Sequence, residues 1–268
     1  MNKLRCAIIG CGRIGCGFDD KPSNIIKTHA GAYFNNSKTE LIALCDIDKK
    51  KLKKYGKKYC VTNMFTDYNE MFKTMHLDCI SICTLAASHL ELVKKAADYG
   101  IKGIFLEKPM SNSLKNAQKI FQICKKKNIS LQIDHQRRFH PIYYKIKEWL
   151  NKRKLGNIQI INIYYGAGIA NTGSHMFDLL RFLFGEVRNV QSFFSKNESG
   201  NLLDPNLDII LEFTNSAICK INAVSYKNYA IFQIEILGTN GLIKLDLIKN
   251  TIEYFNISKE SNVYKILG

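Results

Sequence analysis

The sequence lacks any uninterrupted apolar run of the roughly 20 residues that a membrane-spanning helix needs. Its N-terminus, MNKLRCAIIGCGRIG, starts with basic residues and a short apolar run, but glycines and an arginine interrupt that run. The pattern is not that of a signal peptide. We therefore expect no membrane partner and no secretion.

The nine cysteines include no CxxC pair, and an odd number of them cannot all pair with one another. Four of them, Cys6, Cys45, Cys79 and Cys83, lie within apolar runs. Cysteines in such runs behave as small buried hydrophobic residues, which is typical of a reducing compartment. We expect a cytoplasmic protein with neither a disulfide framework nor a metal site.

Arginine is scarce, with seven residues among the 39 basic ones, although the net charge is +16. A charge of this size is compatible with nucleic-acid binding. However, the lysines lie along helix-like segments such as DKKKLKKYGKKY, and no helix-turn-helix, zinc-finger or RNP-type pattern is present. We expect solvated lysine faces and no nucleic-acid partner, and an acidic small molecule such as a nucleotide sugar would also suit this charge.

The first half of the chain alternates short apolar runs with helical patterns, as in a doubly wound α/β sheet. Ser88 and Ser113 are candidate N-caps, and Gly100 is a candidate helix end. The predicted strands are 4–10, 40–46, 78–84, 102–107 and 130–134. The predicted helices are 48–59, 67–75, 88–100 and 113–128.

After residue 134 the pattern changes to alternating strands separated by turns, with two helices at 142–154 and 175–185. GTNG at 238–241 is a hairpin signal. The expected fold class is α/β: a Rossmann-type dinucleotide-binding domain over 1–134, then an α+β domain over 135–268. The second domain is expected to contain a large, mainly antiparallel open sheet, and to bind the substrate and form oligomers.

A glycine-rich segment, IIGCGRIG, follows the first predicted strand and has the spacing G-x-G-x-x-G. In that context, backbone amides bind the pyrophosphate of a dinucleotide. Asp46 ends the second predicted strand, where a carboxylate binds the adenine-ribose hydroxyls and repels a 2′-phosphate. NAD is therefore expected rather than NADP, and residues 16–31 are interpreted as an insertion in the first helix. The expected contacts in the loop are Gly10, Gly12, Arg13, Ile14 and Gly15.

Three further motifs follow in order: EKP at 107–109, RRF at 137–139 and GSHMFDLL at 173–180. Together with the glycine loop they resemble the Gfo/Idh/MocA oxidoreductases, over residues 1 to about 190. The resemblance implies that Thr84 and His89 lie near the cofactor and that Glu107 binds the nicotinamide ribose. It also implies that Lys108 contacts both the cofactor and the reacting oxygen, in a loop that turns sharply at Pro109.

In the second half, the resemblance implies that His175 is the catalytic acid/base. Asp178 is three residues further on and would share a helix face with it, so that it could orient the imidazole. The alternative is a solvated stripe that contains His175, Asp178 and Arg181. Asn171 occupies a position where many relatives carry aspartate, and it cannot take a proton at neutral pH. Asn171, Asp178 and Arg137 are the expected substrate contacts.

The resemblance implies an NAD-dependent dehydrogenase that acts on the CH–OH group of a sugar or nucleotide sugar. The NTGSH form of the histidine motif resembles members associated with surface-polysaccharide sugar biosynthesis. Two alternatives stay open: glycoside cleavage by transient oxidation, and a non-catalytic NAD-sensing protein. A homodimer or homotetramer is expected through the second-domain sheet, because an open sheet needs a partner layer.

Overall fold

The computed structural model describes residues 2–21 and 25–257. The chain divides into two compact units, Met1–Asp134 and His135–Gly268. Across the described residues, no helix combines the length and the apolar character needed to cross a membrane.

The first unit contains a six-stranded parallel sheet with the order β3-β2-β1-β4-β5-β6, which confirms the doubly wound fold. Its central strands are apolar on both faces because helices cover both. The sequence did not predict β3, which has only three residues, none of them fully buried. The strands are β1 (Leu4–Ile9), β2 (Thr39–Cys45), β3 (Asn63–Phe65), β4 (Cys79–Ile82), β5 (Gly103–Leu106) and β6 (Ser130–Ile133).

Five helices connect these strands: α1 (His29–Asn35), α2 (Lys49–Lys58), α3 (Tyr68–Thr74), α4 (His89–Asp98) and α5 (Leu114–Lys126). Ser113 caps α5 by accepting a hydrogen bond from the amide of Asn116, as predicted. Gly100 has φ +74° after the end of α4, also as predicted. The prediction for Ser88 was wrong, because its hydroxyl bonds the Leu85 carbonyl within a 3₁₀ turn instead of capping α4.

The segment between the glycine loop and α1 is packed at both ends. The amides of His29 and Ala30 donate to the carbonyls of Ile14 and Gly15 at 3.2 and 2.9 Å, so α1 continues the turn that the loop begins. Asp20 pairs with Lys54 and Lys58 at 2.5 and 3.2 Å, which attaches the segment to α2. These contacts fit an insertion in the first helix, and the described part of it is anchored on the unit.

The second unit contains a seven-stranded sheet with the order β13-β12-β11-β7-β10-β9-β8. All neighbours are antiparallel except β7 and β10, which confirms the mainly antiparallel sheet. Its strands are β7 (Ile158–Tyr165), β8 (Val187–Phe194), β9 (Leu207–Phe213), β10 (Ile218–Ala223), β11 (Phe232–Gly238), β12 (Gly241–Asp246) and β13 (Thr251–Asn256). The predicted hairpin joins β11 to β12.

One face of this sheet packs against α6 (Pro141–Asn151) and α7 (Ser174–Phe184). Alternate residues of β7, such as Ile161 and Ile163, are fully buried in that core. The opposite face carries Lys220 and Asn222, which are exposed. The sheet is therefore covered on one side only within the described part of its unit.

Candidate functional site

The glycine loop follows β1, and two of its glycines are required by close packing. Gly10 has φ +96°, and a Cβ there would lie 2.8 Å from the Cys83 backbone. A Cβ on Gly15 would lie 2.1 Å from the Gly10 carbonyl oxygen. A Cβ on Gly12 would meet nothing within 4 Å, so the chain is open on that side. This is the arrangement in which a pyrophosphate can approach the loop backbone.

The other two residues of the loop have different environments. Arg13 is exposed, and its guanidinium lies 4.8 Å from the Phe18 ring centroid. Ile14 is half-buried, and its carbonyl accepts the amide of His29. Of these two side chains, that of Arg13 is thus the more exposed.

Asp46 follows β2 directly and lies beside the glycine loop. One carboxylate oxygen accepts the amide of Cys11 at 2.7 Å, and the other accepts the amide of Asp48 at 2.8 Å. Because a carboxylate has about four acceptor positions, these bonds fix its orientation and leave capacity for ribose hydroxyls. The same negative charge opposes a 2′-phosphate.

The loop after β4 carries Thr84, whose hydroxyl lies 2.7 Å from that of Ser88. His89 is fully buried, with Nε2 3.1 Å from the Thr84 carbonyl oxygen and Nδ1 3.2 Å from that of Met110. A ring with no exposed surface offers no direct cofactor contact. The residue ties the loop after β4 to the loop after β5, and its position near the cofactor stays a prediction.

The EKP motif begins where β5 ends. Glu107 is 8% exposed; Oε1 lies 3.1 Å from Nε2 of His29, and Oε2 accepts the amide of Lys108 at 3.0 Å. Lys108 is half-buried, and the Lys108–Pro109 peptide bond is cis. Sequence reasoning missed His29, which lies within the predicted insertion and belongs to none of the motifs named above.

His29, Glu107 and Asp134 form a cluster whose possible ligand atoms all lie within 4.8 Å of one another. Nε2 of His29 is 3.6 Å from Oδ2 of Asp134. These residue types can bind a divalent metal, which the sequence did not lead us to expect. They can equally form a hydrogen-bonded ion cluster.

In the second unit, the NTGSH segment begins with a π-helical turn, Gly168–Gly173, which runs directly into α7. Asp204 holds this turn: its two carboxylate oxygens accept the amides of Ala170 and Asn171 at 2.7 and 2.9 Å. Asn206 accepts the amide of Gly168 at 3.0 Å. Sequence reasoning missed both residues, because their side chains act on backbone more than 30 residues away. Such π-helical turns are frequent at functional sites.

His175 lies in the first turn of α7 and is half-buried, with its ring 6.2 Å from that of His135. Asp178 does share this helix, but both of its oxygens accept Nε of Arg138 at 2.8 Å. The carboxylate of Asp178 thus pairs with Arg138, whereas the helix spacing predicted that it would orient His175. The solvated-stripe alternative does not describe Asp178 either, because its side chain is only 12% exposed.

Arg137 carries a buried Nη1 that has no hydrogen-bond partner among the described residues. Its guanidinium lies 4.8 Å from the Phe232 ring centroid, and burial lowers its pKa from the usual value. The side chain borders a cavity of about 210 Å³, and the described residues of its wall include no acidic one. The cavity is lined by Gln136, Arg137, His140, Tyr143, Leu247 and Asn250.

Two family models match the chain. Residues 4–135 match "Oxidoreductase family, NAD-binding Rossmann fold", and residues 164–244 match "GFO/IDH/MocA C-terminal domain". Together they account for most of the chain.

Individual relatives are more distant. The uncharacterized oxidoreductase YrbE of Bacillus subtilis is 27% identical over 263 residues, which cover 89% of this chain and 72% of YrbE. Myo-inositol 2-dehydrogenase of Thermotoga maritima is 24% identical, with coverages of 92% and 77%. The structure of the WlbA dehydrogenase from Bordetella pertussis, in complex with NADH and UDP-GlcNAcA, matches with a TM-score of 0.82 at 20% identity. That match covers 97% of this chain and 83% of WlbA.

Proposed function

Because the chain belongs to the Gfo/Idh/MocA family of NAD-binding oxidoreductases, we propose that it transfers a hydride between NAD and a hydroxyl-bearing carbon of a nucleotide sugar. Membership of this family already makes the chain an NAD-dependent enzyme that acts on CH–OH groups of sugars. We assign dinucleotide binding to 1–134 and substrate binding to 135–268. A role in surface-polysaccharide sugar biosynthesis is supported by the form of the NTGSH segment.

The observation that carries this proposal is the open side of the glycine loop beside a fixed carboxylate. Gly12 leaves room for the pyrophosphate, and Asp46 is oriented by two backbone amides. Arg13 and Thr84 border the same strand ends, where ligands of doubly wound sheets bind. When bound there, NAD supplies the hydride acceptor.

Two side chains supply the proton chemistry. His175 accepts the proton of the substrate hydroxyl, and Lys108, as an ammonium, stabilises the developing alkoxide. Positioned acid–base groups of this kind contribute about 10²- to 10⁴-fold each. Glu107 would hold the nicotinamide ribose with the acceptor capacity that His29 and Lys108 leave.

The substrate contacts are proposed for the second unit. The exposed amide side chain of Asn171 can both donate to and accept from a sugar hydroxyl. Asp178 contributes indirectly, by holding Arg138. The guanidinium of Arg137 borders a cavity whose described wall has no acidic residue, and it favours an anionic group such as a phosphate or a carboxylate.

The test is a turnover assay with NAD and a panel of neutral sugars, sugar acids and nucleotide sugars, in which both NADH and products are measured. Stoichiometric NADH and oxidised sugar support the proposal. Release of a free sugar without accumulation of NADH would identify glycoside cleavage by transient oxidation. Cofactor binding with no turnover on any compound would identify an NAD-sensing protein, and either result would overturn the proposal.

Assembly and location are also proposed. The face of the second-unit sheet that carries Lys220 and Asn222 supports a homodimer or homotetramer, because it has no covering layer within the described part of its unit. A reducing, cytoplasmic location is supported by the nine free cysteines, most of which are buried.

A further inference from the structure

His29 is a buried histidine that the proposed chemistry does not use. It is the first residue of α1, it is 5% exposed, and its ring centroid lies 4.5 Å from that of Phe105 in β5. The hydrogen bonds from the amides of His29 and Ala30 to the glycine-loop carbonyls fix its backbone. The ring therefore has a fixed position beneath the ends of the central strands.

The hydrogen bonds of the ring define its protonation. Nδ1 lies 3.0 Å from Oγ of Ser81, and that hydroxyl donates its own hydrogen to Tyr33 at 2.9 Å. Ser81 can therefore only accept from Nδ1. Nε2 lies 3.1 Å from a Glu107 oxygen and 3.6 Å from an Asp134 oxygen, and ionised carboxylates only accept. A ring that donates from both nitrogens is an imidazolium.

The electrostatic balance agrees with this assignment. Burial by itself would lower the pKa of His29, but interactions with Asp134, Cys83 and Glu107 raise it to about 12. Cys83 also contacts the ring, Tyr33 bonds Ser81 beside it, and burial raises the pKa of both Cys83 and Tyr33. Both therefore stay neutral around neutral pH, so it is the carboxyl groups of Asp134 and Glu107 that favour the charged form of the ring there.

We propose that His29 is a positioning residue: a permanent cation that holds Glu107 and Asp134 at the ends of β5 and β6 and thereby fixes Lys108. Glu107 connects His29 to Lys108 directly, because its Oε2 accepts the amide of Lys108 while its Oε1 contacts His29. Without the cation, the buried carboxylate of Glu107 and the partly buried carboxylate of Asp134 would repel each other, and one would take up a proton. The carboxylate that orients Lys108 would then be disturbed.

The effect on catalysis rests on the proposed role of Lys108, but the state of the ring does not. The first experiment is therefore NMR of the ¹⁵N-histidine-labelled full chain between about pH 6 and pH 9, a range in which an ordinary histidine loses its proton. We expect a histidine signal that keeps imidazolium shifts throughout and that disappears in His29→Gln. A His29 signal that titrates near the usual pKa would overturn the proposal, whatever the enzyme's substrate.

The second experiment compares the kinetics of His29→Gln and of His76→Gln, an exposed histidine in the same unit. His29→Gln should lower kcat by about tenfold to a hundredfold, the scale of a misplaced catalytic group, with little change in KM. It should also introduce a new ionisation near neutral pH, from a carboxylate that has lost its cation. His76→Gln should match the wild type, and an unchanged kcat and pH profile in His29→Gln would refute the positioning role.

Two controls keep the proposal testable. If His29→Gln does not fold, Ser81→Ala removes the acceptor at Nδ1, and the NMR of the wild-type chain still decides the charge of the ring. Metal analysis of the purified protein tests the alternative that the cluster binds a divalent metal ion. One tightly held divalent ion per chain, whose removal by a chelator changes the His29 signal, would show a metal site in place of the imidazolium.

Discussion

Glu107 and Lys108 are neighbours in the chain but have different environments. Glu107 is 8% exposed and is held by His29, whereas Lys108 is half-buried at the start of the next loop. Proline restricts the residue before it to extended conformations, and Glu107 accepts the Lys108 amide. The backbone of Lys108 is therefore constrained from both sides, which suits the catalytic role proposed for its ammonium group.

Replacing Lys108 by methionine tests this role, because methionine keeps most of the stem and removes the charge. Interactions made only in the transition state lower kcat and kcat/KM together when they are lost. We expect NADH binding within a few-fold of the wild type and a loss of about 10²-fold or more in kcat. Lys102→Met, at an exposed lysine before β5, is the control and should be silent. Normal kcat in Lys108→Met would make Lys108 an ordinary surface charge.

Asp46 predicts cofactor choice. Wild-type protein should bind NADH more tightly than NADPH, because a 2′-phosphate would face the carboxylate. Asp46→Asn removes the charge but keeps an acceptor, so the NADPH-to-NADH ratio of Kd should fall by about tenfold or more, which corresponds to about 1.4 kcal/mol. Fluorescence titration with NADH and with NADPH measures the two Kd values. An unchanged ratio would remove Asp46 from the adenine-ribose site.

The charged state of His29 predicts how stability depends on pH. Its pKa is about 12 in the folded chain and near 6.5 when the chain is unfolded, so the folded state binds more protons above pH 6.5. Its stabilising contribution is complete below pH 6.5 and is lost as the pH rises toward 12. Between about pH 7 and pH 8, the free energy of unfolding should fall by up to about 1.4 kcal/mol per pH unit from this group. Urea titrations should show a flatter slope in His29→Gln; parallel slopes would contradict the shift.

Among the elements, the π-helical turn Gly168–Gly173 depends on a side chain outside it. Gly168 has φ +89°, and a Cβ there would lie 2.2 Å from an Asp204 oxygen, so the carboxylate occupies the space beside this glycine. The turn leads directly into the helix that carries His175. Its shape thus depends on Asp204 as much as on its own residues.

Asp204→Ala should release this turn. Loss of two backbone acceptors should cost about 1–3 kcal/mol in the free energy of unfolding and should raise KM for the sugar, while the Kd for NADH stays unchanged. The matched control is Asp208→Ala, which removes a single 2.8 Å bond to the Ala223 amide in the same unit. It should lower stability without the change in KM. Equal effects of both variants on KM would mean that the turn has no specific role.

At the scale of the whole molecule, the sheet of the second unit predicts self-association. Ile210 in β9 and Lys220 in β10 pair on the face opposite the helices, and both are exposed. Light scattering should give a mass of at least twice the 30.6 kDa of one chain. Ile210→Glu should shift the protein toward the monomer, because it buries a charge in the interface, whereas Lys249→Glu in an exposed turn should not. A wild-type monomer at micromolar concentration would exclude this assembly.

Local patterns in the sequence determined much of the first unit. Five of its six strands, the caps at Ser113 and Gly100 and the glycine loop depend on residues close together in the chain, where periodicity and backbone conformation are decided. The strand β3 was not predicted because its three residues, none of them buried, carry no periodic signal. The mainly antiparallel sheet and the GTNG hairpin of the second unit were also apparent from local alternation.

The partners of the site residues were decided only by the tertiary structure. Each contact joins residues that are far apart in the sequence. His29 and Glu107 are 78 residues apart, Arg138 and Asp178 are 40 apart, and Asp204 and Asn171 are 33 apart. Helix spacing assigned Asp178 to His175 because it considers only neighbours on one helix. A buried charge, however, selects whichever opposite charge the fold brings within hydrogen-bonding distance. The sequence thus determined which chemical groups are present, and the fold determined which of them act together.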